Sequence, residues 1–255
     1  MKISIITATY NSSSTVARCI ASVNEQTHPD IEHIIIDGFS TDNTLDIVKI
    51  TPSRITQMIT EHDVGIYDAL NKGIRLATGE IIGFLHSDDC FQSTKTIENI
   101  VQAFSTPQEQ SYPDAVYGDL VFVDKKDSNK IVRYWKSKPF ESKLLRQGWM
   151  PPHPTLFMRR EVYGKHGSFD IHLKCAADYD YILRVFQDQS LNIYYIPEVI
   201  TMMGMGGVST TGFKSLINKK REDYWVLKSN RVPYPLWVLF LKNILKIPQL
   251  FFKRI

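Results

Sequence analysis

Residues 81–89 read IIGFLHSDD, an apolar run that stops at four polar residues. The run at 81–85 has the length of a buried β-strand and predicts that residues 86–89 form the turn after it. Asp88 and Asp89 offer the carboxylate oxygens that Mg²⁺ or Mn²⁺ prefers. Two adjacent Asp residues are also typical of a solvated turn or a helix cap. Their place in the fold therefore decides between these interpretations.

Strand-like and helix-like patterns alternate upstream of this segment. Three further apolar strand candidates precede it, at residues 3–8, 34–36 and 55–60. Between the strands, apolar side chains recur at helical spacing, as do Ile66, Leu70 and Ile74. This alternation is typical of βαβ units and predicts an α/β fold with a largely parallel sheet.

Polar residues follow three of these strands at equivalent places. They are Thr7 with Thr9, Asp37, and the pair Asp88 and Asp89. In open α/β sheets, ligands bind beyond the carboxyl ends of the strands. We therefore expect these side chains to line one crevice.

Composition and charge limit the class of protein. The chain has 255 residues, 43% hydrophobic and 22% charged, which predicts one folded domain with a tail. Three cysteines without a CxxC pair favour neither a disulfide framework nor a thiolate zinc site. The first residues lack a secretory signal pattern, which favours a cytoplasmic protein. The net charge of +3 conceals an asymmetry, because residues 214–255 carry ten Lys or Arg and two acids.

Four motifs agree in order and spacing with a known family. They are TATYN at 7–11, IDGFSTDNT at 36–44, DVGIYDALNKG at 63–73, and ATGE at 77–80 before the HSDD at 86–89. On these motifs the chain resembles the family 2 inverting glycosyltransferases of the GT-A fold. The resemblance is close over residues 1 to about 90 and looser to about residue 212.

This resemblance implies a GT-A domain over residues 1–212, with a Rossmann-like, mostly parallel sheet flanked by helices. Residues 1–123 would form the nucleotide-sugar half and residues 124–212 the acceptor half. Residues 213–255 would be a helical, basic, amphipathic extension. The implied enzyme moves a hexosyl or N-acetylhexosaminyl group from a UDP-linked donor to a glycan or lipid-linked oligosaccharide. The implied setting is bacterial surface-polysaccharide assembly, such as O-antigen or capsule.

The resemblance also implies roles for individual residues. Those that would bind the nucleotide-sugar are Thr7, Thr9, Asp37, Asp63 and Asp88. Asp89, with Asp88, would hold a Mg²⁺ or Mn²⁺ ion that neutralises the departing diphosphate. The family's element is often Asp-x-Asp, whereas this chain has His86 and Ser87 before the acidic pair. The outer metal ligand therefore stays open, and Asp88 binds either metal or ribose.

A single carboxylate would serve as general base, because the metal stabilises the leaving group. Many family members have Glu-Asp before the helix that carries the base, and this chain has Ala177 and Asp178. Asp178 is the candidate base, and Asp180 competes with it. The alternative interpretation of Asp178 is a carboxylate stabilised by the helix dipole alone.

Three residues on the acceptor side have further assignments. His153 lies between two prolines in a segment that resembles the family's acceptor loop. It is either packed in the fold or in contact with acceptor or phosphate. Gly207 and Ser209 belong to a glycine-rich stretch at 204–212. We interpret this stretch as a lid whose backbone N–H groups close over a bound diphosphate.

Residues 235–255 have an amphipathic pattern. Apolar residues from Leu236 to Ile247 are combined with polar ones at helical spacing, namely Lys242, Lys246, Gln249 and Lys253. The apolar stretch is too short to span a bilayer, so we interpret it as a helix in the interface, at the inner face of the cell membrane. The alternative is a helix docked on the body or on a second copy in a homo-oligomer.

Other functions fit the residues less well. A catalytically inactive scaffold that binds nucleotide-sugar is the main alternative, and Ala177 favours it. Nucleotidyl transfer would need a glycine-rich phosphate loop after the first strand, where residues 8–11 read ATYN. The sequence contains neither a Walker motif nor GxSxG. We expect no nucleic-acid partner.

Overall fold

Four parallel strands form the first half of the sheet, as the alternating pattern predicts. The computed structural model describes residues 1–107, 111–124, 127, 129–204 and 213–245. The strands are β1 (Ile3–Thr9), β2 (Ile31–Asp37), β3 (Ile55–Thr60) and β4 (Ile81–Phe84). The helices between them are α1 (Val16–Asn24), α2 (Thr44–Ile50) and α3 (Ile66–Leu76). The spatial order is β3-β2-β1-β4, with all three pairings parallel.

The second half of the sheet is mixed. Its strands are β5 (Asp89–Phe91), β6 (Ala115–Val123), β7 (Ile131–Trp135), β8 (Phe157–Arg159) and β9 (Ile193–Gly204). Strand β8 is antiparallel to both β4 and β6, and β9 is parallel to β6 and antiparallel to β5. The helices are α4 (Thr96–Ser105), α5 (Arg160–His166), α6 (Ala177–Phe186), α7 (Phe213–Ser229) and α8 (Pro235–Ile244). Two 3₁₀ turns cover Ser142–Gln147 and His153–Thr155. The predicted α/β class is confirmed.

Strands β1 and β2 are buried along their whole length, because helices cover both faces of the sheet. Polar side chains inside them are therefore paired. Glu32, at the amino end of β2, accepts a hydrogen bond from Ser4 Oγ and another from the Thr78 N–H at 2.8 Å. Burial raises the pKa of Glu32, but the bonds from Ser4 and Thr78 outweigh it and hold the pKa at about 2. This network lies at the end of the sheet opposite to the carboxyl ends of the strands.

A reciprocal pair of hydrogen bonds joins the two halves of the domain. Asn71 Nδ2 on α3 donates to the carbonyl of Phe169, and the Phe169 N–H donates to Asn71 Oδ1, both at 2.9 Å. Helix α3 can approach β1 closely because residue 73 is glycine. A Cβ on Gly73 would lie 2.3 Å from Cγ2 of Ile6. These contacts fix α3, whose first turn borders the candidate site.

The last described helix, α8, is docked on the body. Val238 and Lys242 are buried, and Lys242 Nζ lies 2.9 Å from Asp223 Oδ1 on α7. The same ammonium lies 3.4 Å from the centre of the Tyr179 ring on α6. Burial lowers the pKa of Lys242, and the Asp223 carboxylate acts in the opposite direction. Lys242 is therefore buried against the body, because its ammonium is paired with Asp223 and lies over the Tyr179 ring.

The opposite face of α8 is exposed and apolar. Leu236, Trp237 and Phe240 are 71%, 58% and 53% exposed, and the two rings stack at 5.4 Å. Lys246, Gln249 and Lys253 lie outside the described residues, as does the predicted boundary at residue 212. None of the described helices is long and apolar enough to cross a bilayer.

Candidate active site

The carboxyl ends of β1, β2 and β4 lie side by side. Thr9 at the end of β1 pairs in register with Asp37 at the end of β2. His86 to Asp88 follow β4, which neighbours β1 on its other side. We use "the crevice" for the region bounded by these residues, the first turn of α3 and the first turn of α6.

The side chains of Thr7 and Thr9, both on β1, have different surroundings. Thr9 Oγ1 is buried, with no hydrogen-bond partner in the ranges that the structure describes. Thr7 Oγ1 instead pairs with His33 Nε2 at 3.0 Å, inside the sheet. Thr7 Oγ1 also lies 3.9 Å from Cys19 Sγ, so the Thr7 hydroxyl is engaged inside the fold. The fully buried carboxylate of Asp37 accepts hydrogen bonds from the Ser40 N–H and hydroxyl.

Asp63 borders the same region and is fixed by Lys72. The Lys72 ammonium donates to Asp63 and also pairs with Glu61 at 2.9 Å. Burial raises the pKa of Asp63, and the bond from Lys72 works against this rise. A Cβ on Gly38 would lie 3.0 Å from Asp63 Oδ2 and 3.5 Å from the Tyr10 ring. Glycine at position 38 thus keeps open the space between a carboxylate and an aromatic ring.

The acidic pair does not form a simple turn. Asp89 begins β5 and is fully buried, whereas Asp88 is half-buried. The prediction that residues 86–89 are all turn is therefore wrong at Asp89, which pairs with Met203 of β9. Neither Asp89 oxygen accepts a well-formed hydrogen bond within the described chain. Burial raises the pKa of Asp89 and Asp88 raises it further, while Arg18 and the Gly204 N–H lower it.

A buried carboxylate without a partner is costly unless a positive charge compensates it. Asp89 therefore fits a divalent cation. In the described part of the chain, no three His, Cys, Asp or Glu residues are grouped as a complete ligand set. Water and phosphate oxygens would have to complete the shell, which is usual for Mg²⁺ sites.

Two imidazoles lie beyond the acidic pair, with His153 buried and His86 half-buried. The rings of His86 and His153 are 6.2 Å apart, and His153 packs 5.3 Å from Phe84. His86 Nδ1 and His153 Nε2 are buried, with no hydrogen-bond partner among the described residues. Burial lowers the pKa of His86, and it lowers that of His153 to about 4. Both rings are therefore neutral at pH 7, and each offers a free nitrogen.

The two competing carboxylates have different surroundings. Asp178 Oδ1 accepts a hydrogen bond from Tyr67 Oη at 3.2 Å, and the Asp178 charge acts on both His86 and His153. Asp180 is buried, pairs with Arg184 Nε at 2.9 Å and accepts from Asn230 Nδ2 at 2.7 Å. Asp178 thus borders the crevice, whereas Asp180 is held in a structural ion pair.

A family match covers the strands that build this site. Residues 4–167 match the model described as glycosyl transferase family 2. The chain belongs to glycosyltransferase family 2. The matched region includes β1 to β4, the acidic pair and His153, and it ends before Asp178.

The family 2 glycosyltransferase has relatives in sequence and in structure. It is 32% identical over 212 residues to a PGL/p-HBAD biosynthesis glycosyltransferase of Mycobacterium bovis (strain BCG / Pasteur 1173P2), covering 82% of this chain and 79% of the relative. Its fold matches S. aureus TarS 1-349 in complex with UDP-GlcNAc, with TM-score 0.69, 18% identity, and coverage of 91% of this chain and 66% of that one. It spans 39% of a longer TarS chain.

A second structural neighbour is the mannosyltransferase PcManGT from Pyrobaculum calidifontis, in complex with GDP-Man and Mn²⁺. Its TM-score is 0.65 at 19% identity, with coverage of 97% of this chain and 70% of that one. At such identities the two neighbours establish the shared GT-A fold. The predicted family and fold are thus confirmed.

The structure brings together most of the predicted site residues of this glycosyltransferase. Those that border the crevice are Thr9, Asp37, Asp63, Asp88, Asp89, His153 and Asp178. Thr7 and Asp180 are engaged inside the fold, and Gly207 and Ser209 lie outside the described residues. No role was predicted from the sequence for Tyr67 or Tyr10. Both belong to the quoted motifs, and Tyr10, next to Thr9, is 62% exposed.

Proposed function

We propose that this family 2 glycosyltransferase is an active, inverting enzyme. It transfers a hexosyl or N-acetylhexosaminyl group from a UDP-sugar to a glycan or lipid-linked acceptor in surface-polysaccharide assembly. The observation that carries the proposal is the environment of Asp178, whose carboxylate accepts a hydrogen bond from Tyr67 and whose charge acts on the imidazoles of His86 and His153. Asp178 forms no ion pair with the described residues, so its carboxylate can accept a proton.

The geometry of Asp178 suits a general base. Its two hydrogen bonds, from Tyr67 Oη and from the Tyr179 N–H, both fall on Oδ1. Oδ2 is therefore the oxygen left to accept the proton of an acceptor hydroxyl. The hydroxyl oxygen bonds to the anomeric carbon on the face opposite to the departing UDP, so one displacement inverts the configuration. His86 and His153 can hydrogen-bond sugar hydroxyls without adding charge.

The donor is proposed to lie along the carboxyl ends of β1 and β2. Thr9, Asp37 and Asp63 supply polar contacts, and the exposed Tyr10 ring offers a face on which a base can stack. The TarS neighbour binds UDP-GlcNAc, which supports a UDP-sugar as the first donor to test. Asp88 and Asp89 would hold a Mg²⁺ or Mn²⁺ ion, which acts as a Lewis acid on the departing diphosphate when bound.

The inactive scaffold is less well supported. Ala177 is fully buried in the core of the domain. A carboxylate at position 177 would lie among apolar side chains rather than in the crevice, so alanine there does not remove a crevice group. The candidate base, by contrast, is present and held in position.

We expect the enzyme to release UDP from a UDP-sugar in Mn²⁺ and to build a β-linkage from an α-linked donor. Thermal shift against a panel of UDP- and GDP-sugars selects the donor, and ¹H NMR of the first product gives the anomeric configuration. An α-linked product would contradict inversion. Donor binding without transfer to any acceptor, including lipid-linked saccharides, would favour the scaffold.

We also propose that the exposed face of α8 places the enzyme peripherally on the inner face of the membrane. Exposed Trp and Phe side chains beside a basic segment suit an anionic lipid surface. This location would bring the crevice to a lipid-linked acceptor.

The double variant Trp237→Gln with Phe240→Gln is expected to lower binding to anionic liposomes at least ~10-fold, because each ring contributes about 1–2 kcal/mol when buried. Its melting temperature should stay near that of the parent, since both rings are exposed. Ile50→Gln, at a 79% exposed apolar residue outside the extension, is the control and should bind normally. A different result would assign the exposed face of α8 to contact with a second copy of the chain. In that case the double variant binds liposomes as the parent does, and the parent is a dimer whereas the double variant is a monomer.

A further inference from the structure

A glutamate from the C-terminal extension is bound to the chain just before α6. Glu222 on α7 accepts hydrogen bonds from three successive backbone N–H groups, those of Lys174 (3.2 Å), Cys175 (2.7 Å) and Ala176 (3.1 Å). Successive N–H groups that converge on one point form a concave anion site. Here the anion is a side chain that lies more than forty residues further along the chain.

The segment held by Glu222 leads directly to Asp178. Ala176 is the N-cap residue of α6 and has no side chain that could cap the helix. Local sequence therefore does little to define how the chain enters α6. The Glu222 carboxylate instead fixes the chain that leads into the helix, at Lys174 to Ala176, and so ends two residues before the candidate base.

The neighbouring residue on α7 acts on the other side of the base. Asp223 pairs with Lys242 at 2.9 Å, and the Lys242 ammonium covers the ring of Tyr179. Two consecutive acids of α7 thus act on both sides of Asp178, Glu222 on the chain up to Ala176 and Asp223, through Lys242, on Tyr179. Tyr67, from the opposite wall of the crevice, contacts the carboxylate itself.

We propose that Glu222 is a positioning residue for the general base, so that the C-terminal extension forms part of the catalytic apparatus. The proposal rests on the proposed function of Asp178. Glu222 acts through the backbone from which Asp178 reaches the acceptor, and it does not touch substrate. A displacement of about 1 Å in a catalytic group can cost ~10²-fold in rate.

The test compares Glu222→Ala with Glu222→Gln. The alanine variant leaves three N–H groups without their acceptor, and its kcat is expected to fall at least ~30-fold. The KM for the donor should change less than about threefold, because the nucleotide contacts come from β1 and β2. The glutamine variant keeps one acceptor oxygen, so it should recover most of the rate. Amide hydrogen exchange at 174–176 should accelerate in the alanine variant alone.

Glu32→Gln is the matched control, because Glu32 is a hydrogen-bonded carboxylate at the opposite end of the sheet. It is expected to lower the melting temperature and to leave kcat at 25 °C within about twofold. If it lowers kcat as much as Glu222→Ala does, the effect of Glu222 is general destabilisation and the proposal is overturned.

A double variant separates this proposal from the function on which it rests. If Glu222 acts through Asp178, adding Glu222→Ala to Asp178→Asn lowers kcat no further. A full, multiplicative loss in the double variant overturns the positioning role. If Asp178→Asn alone keeps the parent kcat, Asp178 is not the general base and the proposed function fails. If Asp178→Asn is inactive but Glu222→Ala keeps the parent kcat, only the positioning role of Glu222 is rejected.

Discussion

Asp178→Asn is expected to lower kcat for sugar transfer at least ~10²-fold while leaving the affinity for UDP and Mn²⁺ unchanged. A positioned carboxylate that acts as a general base typically raises the rate by about 10²–10⁴-fold. Among the described residues, Asp178 is the carboxylate that accepts a hydrogen bond from Tyr67. Asparagine keeps the shape and can still accept the Tyr67 hydrogen bond through Oδ1. The variant therefore removes the base and little else.

Asp180→Asn is the matched control on the same helix turn. Its carboxylate pairs with Arg184 and accepts from Asn230, so the substitution should lower the free energy of unfolding and leave kcat within a few-fold. Single-turnover rates with saturating donor, together with calorimetry with UDP, separate chemistry from binding. Asp180 would be the base if Asp178→Asn transfers sugar at a rate within about threefold of the parent while Asp180→Asn is inactive.

Asp89→Asn is expected to abolish the metal dependence of donor binding. The affinity for UDP in Mn²⁺ should weaken at least ~10-fold, and kcat should fall ~10²-fold or more, since charge on the departing diphosphate loses its stabilisation. Without metal, the variant should be more stable than the parent. Asp89 is a fully buried carboxylate that accepts no well-formed hydrogen bond from the described residues, and its neutral analogue removes the cost of burying that charge.

Asp119→Asn provides the opposite case. Asp119 is also buried in a strand, but its carboxylate accepts hydrogen bonds from Tyr134, the Ser137 N–H and Tyr195. This substitution should destabilise the protein and leave its Mn²⁺ dependence intact. Calorimetry with UDP, with and without Mn²⁺, and melting curves for both variants test the pair. Equal UDP affinity of Asp89→Asn and the parent in Mn²⁺ would reject Asp89 as a metal ligand.

The sequence by itself determined the framework of this protein. The alternation of apolar runs and helical periodicity predicted β1 to β4 and their parallel arrangement, because periodicity reports which face of a local element is buried. Polar residues at the strand ends then predicted the crevice, since parallel strands that neighbour one another end at the same edge. The four motifs placed the chain in its family because three of them lie at strand-to-helix junctions and the fourth flanks β4, all within local sequence.

Only the tertiary structure distinguished residues that look alike in sequence. Asp178 and Asp180 share one helix turn, yet Tyr67 contacts the first, and Arg184 and Asn230 bind the second. Lys242 fits an amphipathic pattern, but Asp223 and Tyr179 bury it.

Glu222 carries no local signal at all, because its partners are backbone N–H groups. In each case the deciding partner lies on a different element or a different turn. The burial and pairing of a charge depend on how elements pack, and local periodicity does not contain that information.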